Sequence, residues 1–192
     1  MSNTIDILGD KQTAALIISH KITEFIDDKL KIIGNYAFYS CSSLTSISLP
    51  LVTGIYSFAF QNCSSLTSVS LPAVISISGS AFQGCSALTS VSLPAVTSIG
   101  SHAFQGCSAL TSVSLPAVTS IDYYAFQGCS TLTSVILGNT ETVVVGGSAA
   151  FPNSPNAIFY VPDTLVDSYK NHTSWSTYAD RIKGISEMPQ EG

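Results

Sequence analysis

Residues 81–102 read AFQGCSALTSVSLPAVTSIGSH, and residues 103–124 read AFQGCSALTSVSLPAVTSIDYY. These two stretches follow each other directly and differ only in their last three residues. The same pattern recurs outward with a period of 22 residues, and its cysteine column is Cys41, Cys63, Cys85, Cys107 and Cys129. Columns of Ala-Phe, leucine, proline and isoleucine keep the same period. So many columns in phase predict a solenoid, in which each unit buries its apolar side chains by stacking on its neighbours.

Each unit contains a short stretch in which apolar and polar residues alternate. In LTSISL, residues 44–49, Ile47 lies between Ser46 and Ser48. Because successive side chains of a strand point to opposite faces, we expect the apolar ones to face the core and the serines to face solvent. Pro50 follows and cannot donate to a sheet ladder, so it ends the strand. The chain is therefore predicted to be mainly β.

The unit resembles the AFxxCxxLxxIxIPxxVxxIG repeat of the BspA-like, or Treponema-type, leucine-rich repeat family. The resemblance covers about residues 22–137, and the segment from Phe159 to Ile182 is similar to the cap that often closes such arrays. It implies a leucine-rich-repeat solenoid of 22-residue coils, with an N-terminal β cap and a C-terminal cap containing short helices. It also implies a non-catalytic binding module. Proteins of this family occur on bacterial and protist surfaces, and similar Ser/Thr-rich arrays occur in gut-phage proteins.

The two ends of the chain depart from the repeat and are predicted to cap its core. We expect an N-terminal cap and the start of a degenerate first coil at residues 1–29. Leucine-rich repeats follow at residues 30–137, and a C-terminal capping segment at residues 138–192. Within the N-terminal cap, residues 5–7 and 14–18 have the pattern of a hairpin.

The C-terminal segment is predicted to contain a last strand and two short helices. The final strand is expected at residues 157–161. Asp163 is the candidate N-cap of a helix that carries Leu165, Val166 and Tyr169, and Ser174 is that of a helix with Trp175, Tyr178 and Ile182. Ile136 occupies a column that is serine in the four earlier coils, so we expect the cap to cover it.

The chain has 192 residues and few charges, since only 10% are Asp, Glu, Lys or Arg and the net charge is −5. Nucleic-acid binding needs clustered Lys and Arg, so that function is excluded. No apolar run approaches the ~18 residues of a membrane span, and membrane insertion is not expected. The N-terminus lacks the basic and apolar regions of a secretory signal. We therefore expect synthesis in a cytoplasm and a final site at an extracellular surface or in a virion.

Candidate chemistry is sparse along the chain. His102 and Asp122 lie in adjacent coils, and a His–Asp pair beside a serine is one interpretation. A structural role is favoured, because no GxSxG, P-loop or GxGxxG motif accompanies the pair. The cysteines form no CxxC motif and are interpreted as small buried hydrophobes, although adjacent coils lie within the span of a disulfide. We predict no catalytic residues, no metal site, no cofactor and no enzymatic activity.

The outward serines of the predicted strands form two columns. They are Ser46, Ser68, Ser90 and Ser112 in one column and Ser48, Ser70, Ser92 and Ser114 in the other. Equivalent side chains of an in-register ladder lie above one another, so like charges would repel at every step whereas hydroxyls do not. The serines therefore predict a flat hydroxyl grid. It is interpreted either as a solvated sheet face or as a surface that matches ice or sugar, and serine in place of threonine disfavours ice.

The residues that vary between coils are the three that precede each Ala-Phe pair. They are residues 34–36, 56–58, 78–80, 100–102 and 122–124. Stacking places aromatic side chains along one edge, where the candidate binding residues are Tyr36, Tyr56, Phe58, His102, Tyr123 and Tyr124. Exposed aromatics suit stacking on a glycan or a hot spot for a protein. The alternative is that these rings shield the phenylalanine column and fill gaps at the corner of each coil.

The sequence as a whole predicts non-enzymatic recognition, of the adhesion or receptor-binding kind, through the solenoid surface. The expected partner is a protein or a cell-surface glycan. The alternative is a structural or accessory component of a phage particle, such as a tail or surface protein. The partners would then be other subunits of a larger assembly, and this alternative rests on the family resemblance alone.

Overall fold

A computed structural model describes residues 7–8 and 21–189 of the chain. The chain winds as a solenoid whose coils contribute strands to two parallel sheets. The long sheet contains, in spatial order, β14 Ile182–Gly184, β13 Ile158–Val161, β12 Ser134–Leu137, β10 Ser112–Leu115, β8 Ser90–Ser92, β6 Ser68–Ser70, β4 Ser46–Ser48 and β2 Glu24–Ile26. The short sheet contains β1 Ile7–Leu8, β3 Ile32–Ile33, β5 Gly54–Ile55, β7 Ser76–Ile77, β9 Ser98–Ile99 and β11 Ser120–Ile121.

The register of the sheets is that of the sequence repeat. Ser46 pairs with Ser68 on the adjacent strand, and Ser112 pairs with Ser134, so each step along the long sheet is one 22-residue unit. Ile47 of β4 is buried, while the serines on either side of it are partly exposed. The predicted alternation of core-facing and outward residues is therefore confirmed, and the predicted leucine-rich-repeat solenoid with it.

The core between the two sheets is one continuous cluster, and a ladder of phenylalanine rings runs through it. The rungs are Phe38, Phe60, Phe82, Phe104, Phe126 and Phe151, whose neighbouring ring centroids lie 4.8, 5.0, 5.2, 5.1 and 4.9 Å apart. Phe25 closes one end of this ladder edge-on at 4.9 Å, and Phe159 closes the other at 5.0 Å. The rings at both ends present edges instead of faces, so the ladder stops without leaving a bare ring face at either end.

Each coil turns sharply at two residues with left-handed backbone. The first is the residue before Ala-Phe, and it has φ of 61°, 62°, 56°, 61° and 57° at Tyr36, Phe58, Ser80, His102 and Tyr124. The second lies four residues later, at Ser40, Asn62, Gly84, Gly106 and Gly128. Only the second position becomes glycine in the later coils, as expected for a backbone region that non-glycine residues rarely adopt. The first position keeps side chains despite that cost.

The N-terminal end is described in part. The predicted hairpin of residues 5–7 and 14–18 lies outside the described residues except for Ile7. Ile7 and Leu8 pair in parallel with Ile32 and Ile33, which extends the short sheet by one strand. Phe25 of β2 pairs with Ile47 of β4 in register, as the predicted degenerate first coil requires.

The C-terminal end contains two short α-helices, α1 Gly147–Ala150 and α2 Val166–Asn171, and three 3-10 turns, Asp163–Leu165, Ser176–Arg181 and Ile185–Glu187. Trp175 and Tyr169 are buried here, and both form hydrogen bonds with the main chain of Val144. The Trp175 Nε1 donates to the Val144 carbonyl at 2.7 Å, and the Val144 N–H donates to the Tyr169 hydroxyl at 3.1 Å. The predicted cap with short helices is thus present. Ile136 is half-buried opposite Tyr160, so the cap covers it in part.

Three details predicted for this end are wrong. Asp163 does not cap a helix, because its Oδ1 accepts hydrogen bonds from the Ser186 N–H at 3.3 Å and hydroxyl at 2.9 Å. Ser174 is not an N-cap, since the 3-10 turn that follows begins after Trp175. Ile182 lies in β14 instead of a helix, and β14 is therefore the final strand. A strand added to the edge of a sheet buries an apolar residue as effectively as a helix does. Ile182 is buried in this way, paired with Phe159.

Candidate functional site

The variable residues form one surface at the corner between the short sheet and the Ala-Phe turn. We call residues 34–36, 56–58, 78–80, 100–102 and 122–124 the variable corner. Its main chain is held by the neighbouring coil: the N–H of Ser78 donates to Ile55 at 2.9 Å, and that of Asp122 donates to Ile99 at 2.9 Å. Because these bonds come from the backbone, side chains can differ from coil to coil without loosening the array.

A groove of about 860 Å³ runs beside the variable corner. Its lining includes Ser76, Ser98 and Ser120 of the short sheet, together with Gly79 and Gly100 of the corner. A side chain at Gly100 would place its Cβ 2.8 Å from the Gly79 nitrogen, so no other residue fits there without displacement. Gly100 thus allows two successive coils to approach closely beside the groove.

Exposed apolar side chains lie along this groove. Tyr123 and Val145 line it and are 64% and 63% exposed. The lining of the groove therefore includes two exposed apolar side chains. Tyr56 and Ile75, which are 46% and 50% exposed, lie outside the lining.

The groove carries little charge. Asp122 is the single formally charged residue among the lining residues, and its Oδ1 accepts the N–H of Tyr123 at 2.8 Å. One carboxylate oxygen is therefore engaged within the chain. Hydroxyls, peptide groups and apolar side chains make up the rest of the lining, so long-range electrostatic steering contributes little to binding there.

The predicted aromatic edge is divided into two stacks. Tyr36 and Phe58 stack face to face, with centroids 4.9 Å apart and planes at 8°. His102 lies 5.4 Å from Tyr124 at a tilt of 34°. Ser80 occupies the column position between the two stacks and has no ring. Of the six predicted residues, Tyr123 lines the groove, and the other five lie outside its lining.

The structure gives no support to a His–Asp pair. His102 Nδ1 lies 3.1 Å from Gln105 Oε1, within the same coil. Among the described residues, His102 and Asp122 make no hydrogen bond or ion pair with each other. Side-chain amides of Gln61, Gln83, Gln105 and Gln127 form a further ladder of hydrogen bonds beside this edge. His102 therefore contacts a structural ladder.

All five cysteines are buried, one per coil, and none forms a disulfide. The Cys63 thiol donates to the Phe38 carbonyl of the preceding coil at 3.0 Å, and the three later cysteines repeat this bond at 3.2–3.3 Å. Burial raises the pKa of Cys107 and raises that of Cys129 to about 12, which keeps both thiols neutral. Within residues 7–8 and 21–189, no three His, Cys, Asp or Glu side chains are placed to hold a metal ion.

The serine columns of the long sheet are in register as expected, and their side chains are partly or fully exposed. Glu24 and Ile26 continue the two columns at one end, and Ser134 and Ile136 continue them at the other. The threonines beside them already donate to the preceding coil, as Thr67 does to the Thr45 carbonyl at 3.0 Å. Recognition by this hydroxyl grid stays a prediction.

The groove was not predicted from the sequence. The available signal was small: Gly79 and Gly100 stand in the variable corner between the aromatic residues of the coils on either side. Val145 was also missed, because it comes from the irregular last coil. It reaches the groove because its main chain pairs with Ser120 at the end of the short sheet.

A family model described as the BspA-type leucine-rich repeat region matches the chain in six copies, over residues 19–133 and 53–173. The chain belongs to this family. The match extends past the last 22-residue unit into the C-terminal segment. It does not mark the predicted boundaries at residues 29 and 137. No curated protein matches the chain. Within the part of the chain that the structure describes, no helix is long and apolar enough to cross a membrane.

Two solved structures of leucine-rich repeat proteins share the fold. The leucine-rich repeat protein TpLRR of T. pallidum is 24% identical, with a TM-score of 0.65, and the match covers 85% of this chain and 86% of that one. The pneumococcal vaccine antigen PcpA is 19% identical, with a TM-score of 0.68, over 85% of this chain and 40% of that one. At these identities, the similarity to the two structures establishes only that this chain has the same solenoid fold.

Proposed function

We propose that this chain is a non-enzymatic recognition module of the adhesion or receptor-binding kind, which binds a protein partner in the groove beside the variable corner. The observation that carries the proposal is the exposure of Tyr123 and Val145 in a groove whose lining is otherwise mostly serine, glycine and isoleucine. Tyrosine and other apolar side chains exposed on a concave surface are typical of protein interfaces.

A protein partner is favoured over a glycan by the chemistry of the lining. Specific sugar sites depend on several convergent polar side chains, and the groove offers one charged residue, Asp122, with one oxygen already engaged. Its other polar groups are serine hydroxyls and peptide groups. We place the site of action at an extracellular surface, which is in keeping with the family. A role in a phage particle has no specific observation in its favour.

The test is binding of the labelled, purified protein to intact bacterial and epithelial cells. The groove variant replaces Tyr123 and Val145 by serine, and we expect it to lose at least tenfold in binding. The matched control is Leu51→Ser, which removes a side chain that is 50% exposed and lies outside the groove lining. It should bind as the parent does. Equal binding by the groove variant and the parent would place the site elsewhere.

The same assay separates protein from glycan partners. Cells treated with protease should lose their capacity to bind the protein, while cells whose glycans are oxidised by periodate should keep it. The reverse result would identify a glycan as the partner and contradict the proposal. Circular dichroism of each variant confirms that the solenoid is intact before binding is compared.

A further inference from the structure

Asp122 is the one charged residue in a long uncharged part of the sequence. All seven Lys and Arg residues come before residue 32 or after residue 169, and Asp122 is the single Asp or Glu between residues 32 and 140. It also lies in the lining of the groove, among serine, glycine and apolar side chains. The repeats therefore carry a single negative charge, and that charge lies at the surface where we place the partner.

The carboxylate of Asp122 has one oxygen left for a partner. Its Oδ1 accepts the Tyr123 N–H at 2.8 Å. No described residue forms an ion pair with Asp122, whose side chain is exposed. Because an ionised carboxylate accepts hydrogen bonds at both oxygens, Oδ2 can accept a donor from another molecule. The bond to Tyr123 meanwhile fixes the orientation of the group.

The coils on either side do not cover this carboxylate. Gly100 occupies the equivalent position of the preceding coil, 22 residues earlier. Gly146 lines the groove in the following coil with a φ of 104°, and a Cβ there would overlap the Ile121 carbonyl oxygen. Since neither glycine has a side chain to extend over Asp122, a group that enters the groove can approach the carboxylate from solvent.

An exposed ring belongs to the residue next to this carboxylate, because Tyr123 lines the groove and is 64% exposed. The chain already holds one guanidinium between a tyrosine ring and oxygen acceptors. Arg181 lies 4.8 Å from the Tyr178 ring centroid and donates to three carbonyls, the nearest being that of Ser154 at 2.8 Å. A guanidinium is planar and weakly hydrated and stacks on rings, whereas the ammonium of lysine is a strongly hydrated point charge. This combination therefore favours arginine.

We propose that Asp122 and Tyr123 form a subsite of the groove that takes one arginine side chain of the protein partner. The guanidinium donates to Asp122 Oδ2 and lies against the Tyr123 ring. As the partner displaces water from the groove, the local dielectric falls and the ion pair becomes stronger. The assignment rests on the proposed function, since it names the residue by which the partner is held.

The subsite can be tested without the partner by two small probes, N-acetylarginine methylamide and its uncharged counterpart N-acetylcitrulline methylamide. The Tyr123 N–H is bonded to Asp122, so its amide NMR signal reports occupation of the subsite. We expect the arginine probe to bind the parent about tenfold more tightly than the citrulline probe. Equal affinities would overturn the inference. An equally tight N-acetyllysine methylamide would overturn the choice of arginine.

The variant Asp122→Asn removes the charge and keeps an oxygen that can accept the Tyr123 N–H. The arginine probe should then bind as weakly as the citrulline probe does. The matched control Glu141→Gln makes the same change in net charge at an exposed residue outside the groove lining, and it should leave both affinities unchanged. If Asp122→Asn binds the arginine probe as the parent does, Asp122 is not the acceptor and the inference fails.

Cell binding then separates this inference from the proposed function. We expect Asp122→Asn to bind cells about tenfold more weakly than Glu141→Gln. Cells whose arginines are modified by phenylglyoxal should lose binding of the parent, and cells whose lysines are acetylated should keep it. If Asp122→Asn binds cells fully and the groove variant does not, the groove proposal stands and the inference fails. If the parent binds neither cell type, the proposed function fails, and the probe titrations still decide whether the subsite exists.

Discussion

At the scale of single residues, each column of the repeat has one structural task. The cysteine column shows this clearly, because the thiol of each coil from Cys63 to Cys129 donates to a phenylalanine carbonyl of the coil before it. That carbonyl lies at the sharp turn. A thiol is small enough for the core and still provides a donor, which alanine does not.

The buried thiols predict a loss of stability in alkali. Burial raises the pKa of Cys107 and takes that of Cys129 to about 12, whereas an unfolded thiol titrates near 9.0. Above pH 9 the unfolded state therefore releases protons that the folded state retains. The contribution is complete below about pH 9 and falls as pH rises toward 12, by at most about 1.4 kcal/mol per pH unit and thiol.

The measurement is urea unfolding at pH 8, 9 and 10, for the parent and for a variant with Cys107→Ala and Cys129→Ala. The variant starts less stable, but its free energy of unfolding should depend less steeply on pH. Buried Tyr169 and Tyr178, whose pKa values burial also raises, act in the same direction at higher pH and are present in both proteins. Identical slopes would show that the thiols do not titrate differently on unfolding.

At the scale of elements, ladders of equivalent side chains hold adjacent coils in register. The strands themselves are short, two to four residues each, and cannot hold register alone. Stacked phenylalanines, hydrogen-bonded glutamines and threonines that reach the preceding coil add interactions at every step. Each ladder repeats at the strand spacing, so the sheets and the side-chain columns support the same register.

Phe82→Ala tests the phenylalanine ladder at its middle. The substitution removes a buried ring between Phe60 and Phe104 and leaves a cavity, which should cost about 3–5 kcal/mol in the free energy of unfolding. The control Thr89→Ala removes one exposed hydroxyl bonded to the Thr67 carbonyl and should cost about 1 kcal/mol or less. Urea unfolding measures both. Equal costs for the two variants would mean that the coil collapses around the missing ring.

At the scale of the whole molecule, each coil contacts its two neighbours and the ends are closed by different means. Phe25 closes the ring ladder at one end. At the other, Trp175 and Tyr169 fix the last coil through Val144, and Arg181 donates to the carbonyls of Ser154, Pro155 and Ala157. The interior is therefore modular, while the C-terminal cap is held by contacts of its own.

Removal of one complete coil should leave a folded protein. Deletion of residues 81–102 joins Ser80 to Ala103 and restores every column, so we expect cooperative unfolding at a lower urea concentration than for the parent. Deletion of residues 81–101 leaves one extra residue in the coil at the junction, while the later coils keep their register with one another, so we expect a lower urea midpoint than for the 22-residue deletion. Far-UV circular dichroism and urea titration distinguish them. Equal behaviour of the two deletions would contradict the column model.

The repeat pattern alone predicted the solenoid and the 22-residue register. It also predicted which side chains of each strand face the core, as for Ile47 between Ser46 and Ser48. It did so because the same local pattern recurs and every copy makes the same contacts. It also marked the variable corner. It misjudged Asp163, Ser174 and Ile182, which lie where no repeat constrains the chain and helix and strand bury an apolar residue equally well.

The shape of the surface beside the variable corner could not be read from the sequence. The groove forms where Ser76, Ser98 and Ser120 of successive coils lie side by side, next to Gly79 and Gly100. Gly100 permits a close approach of two coils, because a Cβ there would lie 2.8 Å from the Gly79 nitrogen. Such a shape belongs to no single residue and arises only when residues 22 positions apart are stacked.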